Sequence, residues 1–84
     1  MNSTQRKTLK ALFANPINGD IEWRRIETLF VALGAEVIEG RGSRITFLLN
    51  GRRRDFHRPH PGKEALRYRV REARDFLTEA GITP

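Results

Sequence analysis

Arg44-Ile45-Thr46-Phe47-Leu48-Leu49-Asn50-Gly51-Arg52-Arg53-Arg54-Asp55-Phe56-His57 holds a β-branched and aromatic run, an Asn-Gly pair and a polar return. Asn-Gly is the strongest short hairpin signal, because both central residues of a type I′ turn need positive φ. The stretch therefore predicts two antiparallel strands, 44–49 and 52–57, with Phe47 and Phe56 facing a core. Alternation along the second strand sends Arg52 and Arg54 to one face and Arg53 to the other. Upstream, residues 35–39 form a plausible first strand, and Gly40-Arg41-Gly42-Ser43 a glycine-flanked loop.

Helices flank this meander. Trp23, Ile26, Leu29, Phe30 and Leu33 make an apolar stripe at helical period over about 22–33, with Asp20 as the N-cap and Gly34 as the left-handed terminator. Val70, Ala73, Phe76, Leu77 and Ala80 make another over about 64–80, ended by Gly81. A short helix over 4–14 with Leu9, Leu12 and Phe13 precedes both, after a loose end at 1–3, and is stopped by Asn15-Pro16 and Asn18-Gly19. The expected architecture is a two-layer α+β domain over residues 21–84, behind an N-terminal helical extension and linker over residues 1–20. The helices can cover only one sheet face, which leaves the other face or the helix-free rim for a partner.

The chain has 84 residues, enough for one domain and too few for an enclosed active-site cavity. Sixteen Lys and Arg stand against ten Asp and Glu, a net charge of +6, and thirteen of the sixteen are Arg. The guanidinium fork binds phosphate in bidentate fashion, so a small Arg-rich domain points first to nucleic acid. A merely solvated basic surface is the structural alternative. Cysteine is absent, which excludes a disulfide scaffold, a thiolate zinc site and a cysteine nucleophile and fits a reducing cytosol. No apolar run is long enough to span a membrane, and no signal-peptide pattern opens the chain.

Arg41, Arg44, Arg52, Arg53, Arg54 and Arg58 fall within eighteen positions. The residues expected to meet phosphates are Arg41, Arg44, Arg52, Arg54 and Arg58. Base stacking is not indicated on this reading, because Phe47 and Phe56 face inward; recognition of backbone shape suits the surface better. His57 and His60 are the only histidines. Imidazole is the side chain that exchanges protons near neutrality, so each is a candidate for proton transfer, while the alternative is that they hydrogen-bond and shape the turn. With no third His, no Cys and Arg58 alongside, a metal site is disfavoured, and no cofactor is expected. No Ser-His-Asp pattern and no dinucleotide loop are present.

Three local patterns carry a resemblance to the HicA toxins of bacterial HicA/HicB toxin–antitoxin pairs. Leu33-Gly34-Ala35 followed by a strand and Gly40-Arg41-Gly42-Ser43 is similar to that family's glycine and Arg-Gly-Ser-His loop. Pro59-His60-Pro61-Gly62-Lys63-Glu64 is similar to its proline-histidine connector, and Ala80-Gly81-Ile82 to its terminal Ala-Gly-Ile. The match covers about residues 22–82. The resemblance implies a double-stranded-RNA-binding-domain-like fold and a small, metal-independent, cytoplasmic ribonuclease acting on messenger RNA. It also implies a HicB-like antitoxin that covers the active face. It places Gly42, Ser43 and Lys63 beside the arginines in the RNA-binding set. The chain departs from the family at one position that matters. The family's catalytic histidine follows the Gly-Ser pair, and here Arg44 stands in that slot. Arginine stays protonated at neutral pH and cannot be the general base, though it can hold the scissile phosphate. His57 or His60 would substitute if the third strand brings one of them beside the 42–44 loop.

Overall fold

A computed structural model describes residues 1–84. The order is α1 (Ser3–Leu12), α2 (Trp23–Ala32), β1 (Glu36–Glu39), β2 (Arg44–Leu49), β3 (Arg52–His57) and α3 (Leu66–Glu79). The three strands form one antiparallel sheet in the order β1-β2-β3. No helix is long and apolar enough to cross a membrane. The predicted α+β order and the bounds of both hairpin strands are those observed.

The turn chemistry sets the sheet. Asn50 and Gly51 adopt φ of 50° and 79°, which the mirror-image turn requires and which the Asn side chain and Gly tolerate. Asn50 Nδ2 also donates to the Ala80 carbonyl at 2.9 Å, fastening the turn to the end of α3. The resulting register pairs Arg44 with His57, Ile45 with Phe56, Thr46 with Asp55 and Phe47 with Arg54. Ile45, Phe47, Leu49 and Phe56 thereby point together into the helical layer, where all four are buried.

That layer is built on aromatic contacts. Phe30 of α2 meets Phe47 edge-on at 4.9 Å and Phe76 of α3 at 5.4 Å, and Trp23 lies 5.2 Å from Phe56. Edge-to-face pairs at these spacings add to their area burial. Helix α1 shares the core: Leu9 and Leu12 are buried in the same cluster. Arg74 of α3 holds its C-terminal end, donating from Nε to the Leu12 carbonyl and from a terminal nitrogen to the Ala14 carbonyl, both at 2.7 Å.

Two local expectations give way. Residues 1–3 are not a loose end, because Asn2 and Gln5 form a reciprocal capping box with bonds of 2.8 and 2.9 Å. Asp20 does not cap α2, whose N-cap position is Glu22, with no side-chain bond to the helix. The backbone of that region is occupied instead by the connector after β3. Trp23 N donates to Lys63 O at 2.9 Å, Ala65 N to Ile21 O at 2.7 Å and Leu66 N to Gly19 O at 3.0 Å.

Candidate functional site

Alternation assigns every sheet residue to a face. Opposite the buried set lie Glu36 and Ile38 of β1, Arg44, Thr46 and Leu48 of β2, and Arg53, Asp55 and His57 of β3. Arg44, Arg53, Asp55 and His57 are exposed. His57 thus stands directly across the ladder from Arg44, next to the Arg41-Gly42-Ser43 loop. The loop itself is fixed by its backbone: Gly42 has φ of 60°, Arg44 N donates to Arg41 O at 3.1 Å, and Arg58 N donates to Ser43 O at 2.9 Å. Arg44 leans over Gly40, whose missing side chain leaves the space; a Cβ there would come within 3.0 Å of the Arg44 carbonyl oxygen.

A carboxylate completes this corner. Thr46 Oγ1 donates to Asp55 Oδ1 at 2.6 Å, and Arg53 Nε lies 3.8 Å from the same oxygen. The Thr46 bond holds the Asp55 carboxyl below its ordinary value, with further lowering from the positive charge of Arg53 and Arg44. Asp55 is therefore ionised on a face otherwise rich in cations. The arrangement sets an exposed guanidinium and an imidazole at one ladder position, with an anion two residues along β3 from the imidazole. Such a set can hold a phosphodiester and exchange a proton beside it.

The remaining site residues are placed elsewhere. Arg52 and Arg54 lie on the helix-side face; Arg52 pairs with Leu49 beside the hairpin turn, five residues or about 16 Å along the strand from His57. Arg54 bonds the Glu79 carboxylate at 3.2 Å, so its charge is met within the molecule. Arg58 is engaged even more fully. It donates to Glu27 from Nε at 2.8 Å and to Glu39 from two terminal nitrogens at 2.8 and 2.9 Å. Trp23 Nε1 bonds the same Glu27 carboxylate. The Arg58 hydrogen bond holds Glu39 below the ordinary carboxylate range, and the two carboxylates raise Arg58 further above its ordinary value. Arg58 is a clamp joining α2, β1 and the connector. His60 and Lys63 lie exposed on that connector, and Lys63 borders an open cleft of about 520 Å³ next to Arg24 and Arg58. The register gives His57, and not His60, a place opposite Arg44. No group of three or more His, Cys, Asp or Glu side chains converges anywhere in the fold.

Sequence reasoning passed over one exposed aromatic. Tyr68, in the first turn of α3, is 54% exposed, and the Arg69 guanidinium lies over its ring at 4.6 Å. Its signal was available: Tyr68 falls off the Val70–Ala73–Leu77 stripe and between two arginines.

Among known protein families, the one described as the HicA toxin of bacterial toxin–antitoxin systems matches residues 23–82. That span runs from the first residue of α2 past the end of α3 and leaves α1 outside it. Neither the curated proteins nor the solved structures provide a match.

Proposed function

This chain belongs to the HicA toxin family, the toxin side of bacterial toxin–antitoxin pairs, and we propose that it acts by binding messenger RNA at the Arg44–His57 end of the open sheet face and cutting it there. The observation that carries this reading is the β2–β3 register, which sets an imidazole across from the guanidinium in the family's catalytic slot. Arg41 and Arg44 take the phosphate, and Lys63 lies on the path of the strand beyond it. His57 accepts the proton of the ribose 2′-hydroxyl. The 2′-oxygen forms its bond to the adjacent phosphorus, and the bond from phosphorus to the 5′-oxygen breaks. The proton is returned to that 5′-oxygen, leaving a 2′,3′-cyclic phosphate and a 5′-hydroxyl. Arg44 balances the charge that builds on the phosphoryl oxygens. The chemistry uses no metal and no cofactor. It operates in the cytoplasm, where a HicB-like antitoxin covers the same face.

The decisive experiment is cleavage of RNA by the purified protein, with and without chelator, compared with His57→Ala and His60→Ala. Cleavage that survives chelator and His60→Ala but is lost in His57→Ala, with RNA binding kept, fits the reading. Robust cleavage by the double mutant overturns the assignment of the proton-transfer group. Arg44 in place of histidine also favours a second reading, an RNA- or partner-binding module without catalysis. Full RNA binding with no cleavage by the wild-type protein selects that one.

A further inference from the structure

At the start of α3 an exposed apolar pair borders a cleft of about 590 Å³, closed on its other side by Ile17, Asn18 and Asp20. Leu66 is 51% exposed and Tyr68 54% exposed, the two most open large apolar residues of α3. Leu66 also has φ of 70°, a backbone state that a branched side chain enters only at a cost. It is held there by its N–H bond to Gly19 O, and Gly19 permits the approach because a Cβ would stand 2.9 Å from Arg67 N. One face of the Tyr68 ring carries the Arg69 guanidinium, whose Nε donates at 2.6 Å to the carbonyl of His57. Arg67, on the cleft rim, has no carboxylate partner within ion-pair distance.

We propose that this cleft is a base-binding subsite, in which one unpaired nucleobase of an RNA strand stacks on the open face of Tyr68 against Leu66. The occupant follows from the chemistry of the walls. An aromatic ring backed by a guanidinium is a stacking platform for any base. The Asp20 carboxylate repels a phosphate from the interior of the cleft but can accept hydrogen bonds from a base amino group. Arg67 on the rim takes the flanking phosphate. Arg69 ties the platform to the backbone of His57, so a base seated there sets the position of the strand at the open sheet face. The inference rests on the RNA-binding reading above and sharpens its substrate class to RNA with unpaired nucleotides. Residues 17–20, which form one wall of the cleft, lie outside the span matched by the family.

The test compares binding of a short mixed-sequence single-stranded RNA and of its fully paired duplex by the whole protein. Tyr68→Ala should weaken single-strand binding roughly 5- to 100-fold, with Tyr68→Phe near the wild type. Duplex binding should stay as in the wild type. Leu66→Gly separates binding from folding: glycine adopts positive φ freely, so the variant should be as stable as the wild type or more so, yet bind the single strand less tightly. Tyr68→Ala that binds the single strand like the wild type, or that loses strand and duplex equally, overturns the subsite while leaving RNA binding standing. A wild-type protein that binds neither RNA overturns both readings.

Discussion

Arg44 and Arg58 stand at the same end of the molecule, joined through the bond from Arg58 N to Ser43 O, yet their guanidinium groups have opposite fates. Arg58 is held by two carboxylates in bonds of 2.8 to 3.2 Å. Arg44 has no carboxylate within ion-pair distance, and its side chain is exposed across a ladder position from His57. One arginine has its charge met by carboxylates of the fold; the other has no such partner. A net charge of +6 is therefore a poor guide to where a polyanion binds. What matters is which cations the fold leaves without an internal partner.

The largest expected effect is at the open end. His57→Ala should reduce RNA cleavage by a factor of about 100 to 10,000, the usual cost of one general acid or base. Its thermal stability should stay near that of the wild type, because His57 is exposed. The complementary change, Arg44→His, restores the family's own residue opposite His57, and an increased cleavage rate is expected. An unchanged rate in a folded Arg44→His protein would mean that this corner is not the reacting centre. Arg58→Ala should give the reverse profile. It strands the half-buried Glu27 carboxylate and loses a charge-assisted network, costing about 1–2 kcal/mol once its partial exposure is allowed for. For a domain of this size that lowers Tm by roughly 5–15 °C, while RNA affinity measured well below the melt should hold. An Arg58→Ala protein that melts normally but loses RNA would reverse the two roles.

The difference between these arginines was only half legible in the sequence. Turn chemistry and period-two alternation suffice for the hairpin, because Asn50-Gly51 and the Ile45–Phe47–Leu49 face are local signals. They also predict that Arg52 and Arg54 part from Arg53. With Phe56 facing the core, the same alternation puts Arg52 and Arg54 on the helix side, away from Arg44. Arg58 reads as one more surface cation because its partners, Glu27 and Glu39, lie 31 and 19 residues away and no local rule joins them. Tyr68 is hard to read for a related reason: it lies on α3 off the Val70–Ala73–Leu77 stripe, where neither strand alternation nor the core stripe points to it. Asp20 looks like a helix cap in isolation, but the connector after β3 zips onto residues 19–23 and moves the helix start to Trp23.

A smaller effect sharpens the contrast through salt. Each phosphate neutralised on a single strand contributes about 0.7 to the slope of log affinity against log salt. Replacing Arg41 and Arg44 together by Gln should flatten that slope by roughly 1 to 1.5. Arg54→Gln should leave it unchanged, since Arg54 already answers Glu79. A flattened slope in Arg54→Gln would place the RNA on the helix-side face.

The smallest expected effect is in acid, and it separates the carboxylates of the two regions. Glu39 is held below the ordinary value by the Arg58 hydrogen bond, and Asp55 by the Thr46 hydrogen bond. A carboxyl that is more acidic in the folded chain than in the unfolded one stabilises the fold above its unfolded value, about pH 4. That stabilisation is lost as the pH falls through the lower folded value, so stability should drop below about pH 4. Urea unfolding followed across this range reads the drop directly. Arg58→Met removes the cause at Glu39, and its stability should fall less steeply with acid than that of the wild type. Thr46→Val keeps the shape of the buried side chain and removes only the hydroxyl that binds Asp55. It should remove a still smaller part of the slope, because Asp55 is exposed and keeps the neighbouring charge of Arg53. If Thr46→Val flattens the acid slope more than Arg58→Met does, the stabilising carboxylate is the one on the open face. The division between a clamped arginine that holds the fold and a free corner that meets the ligand would then have to be redrawn.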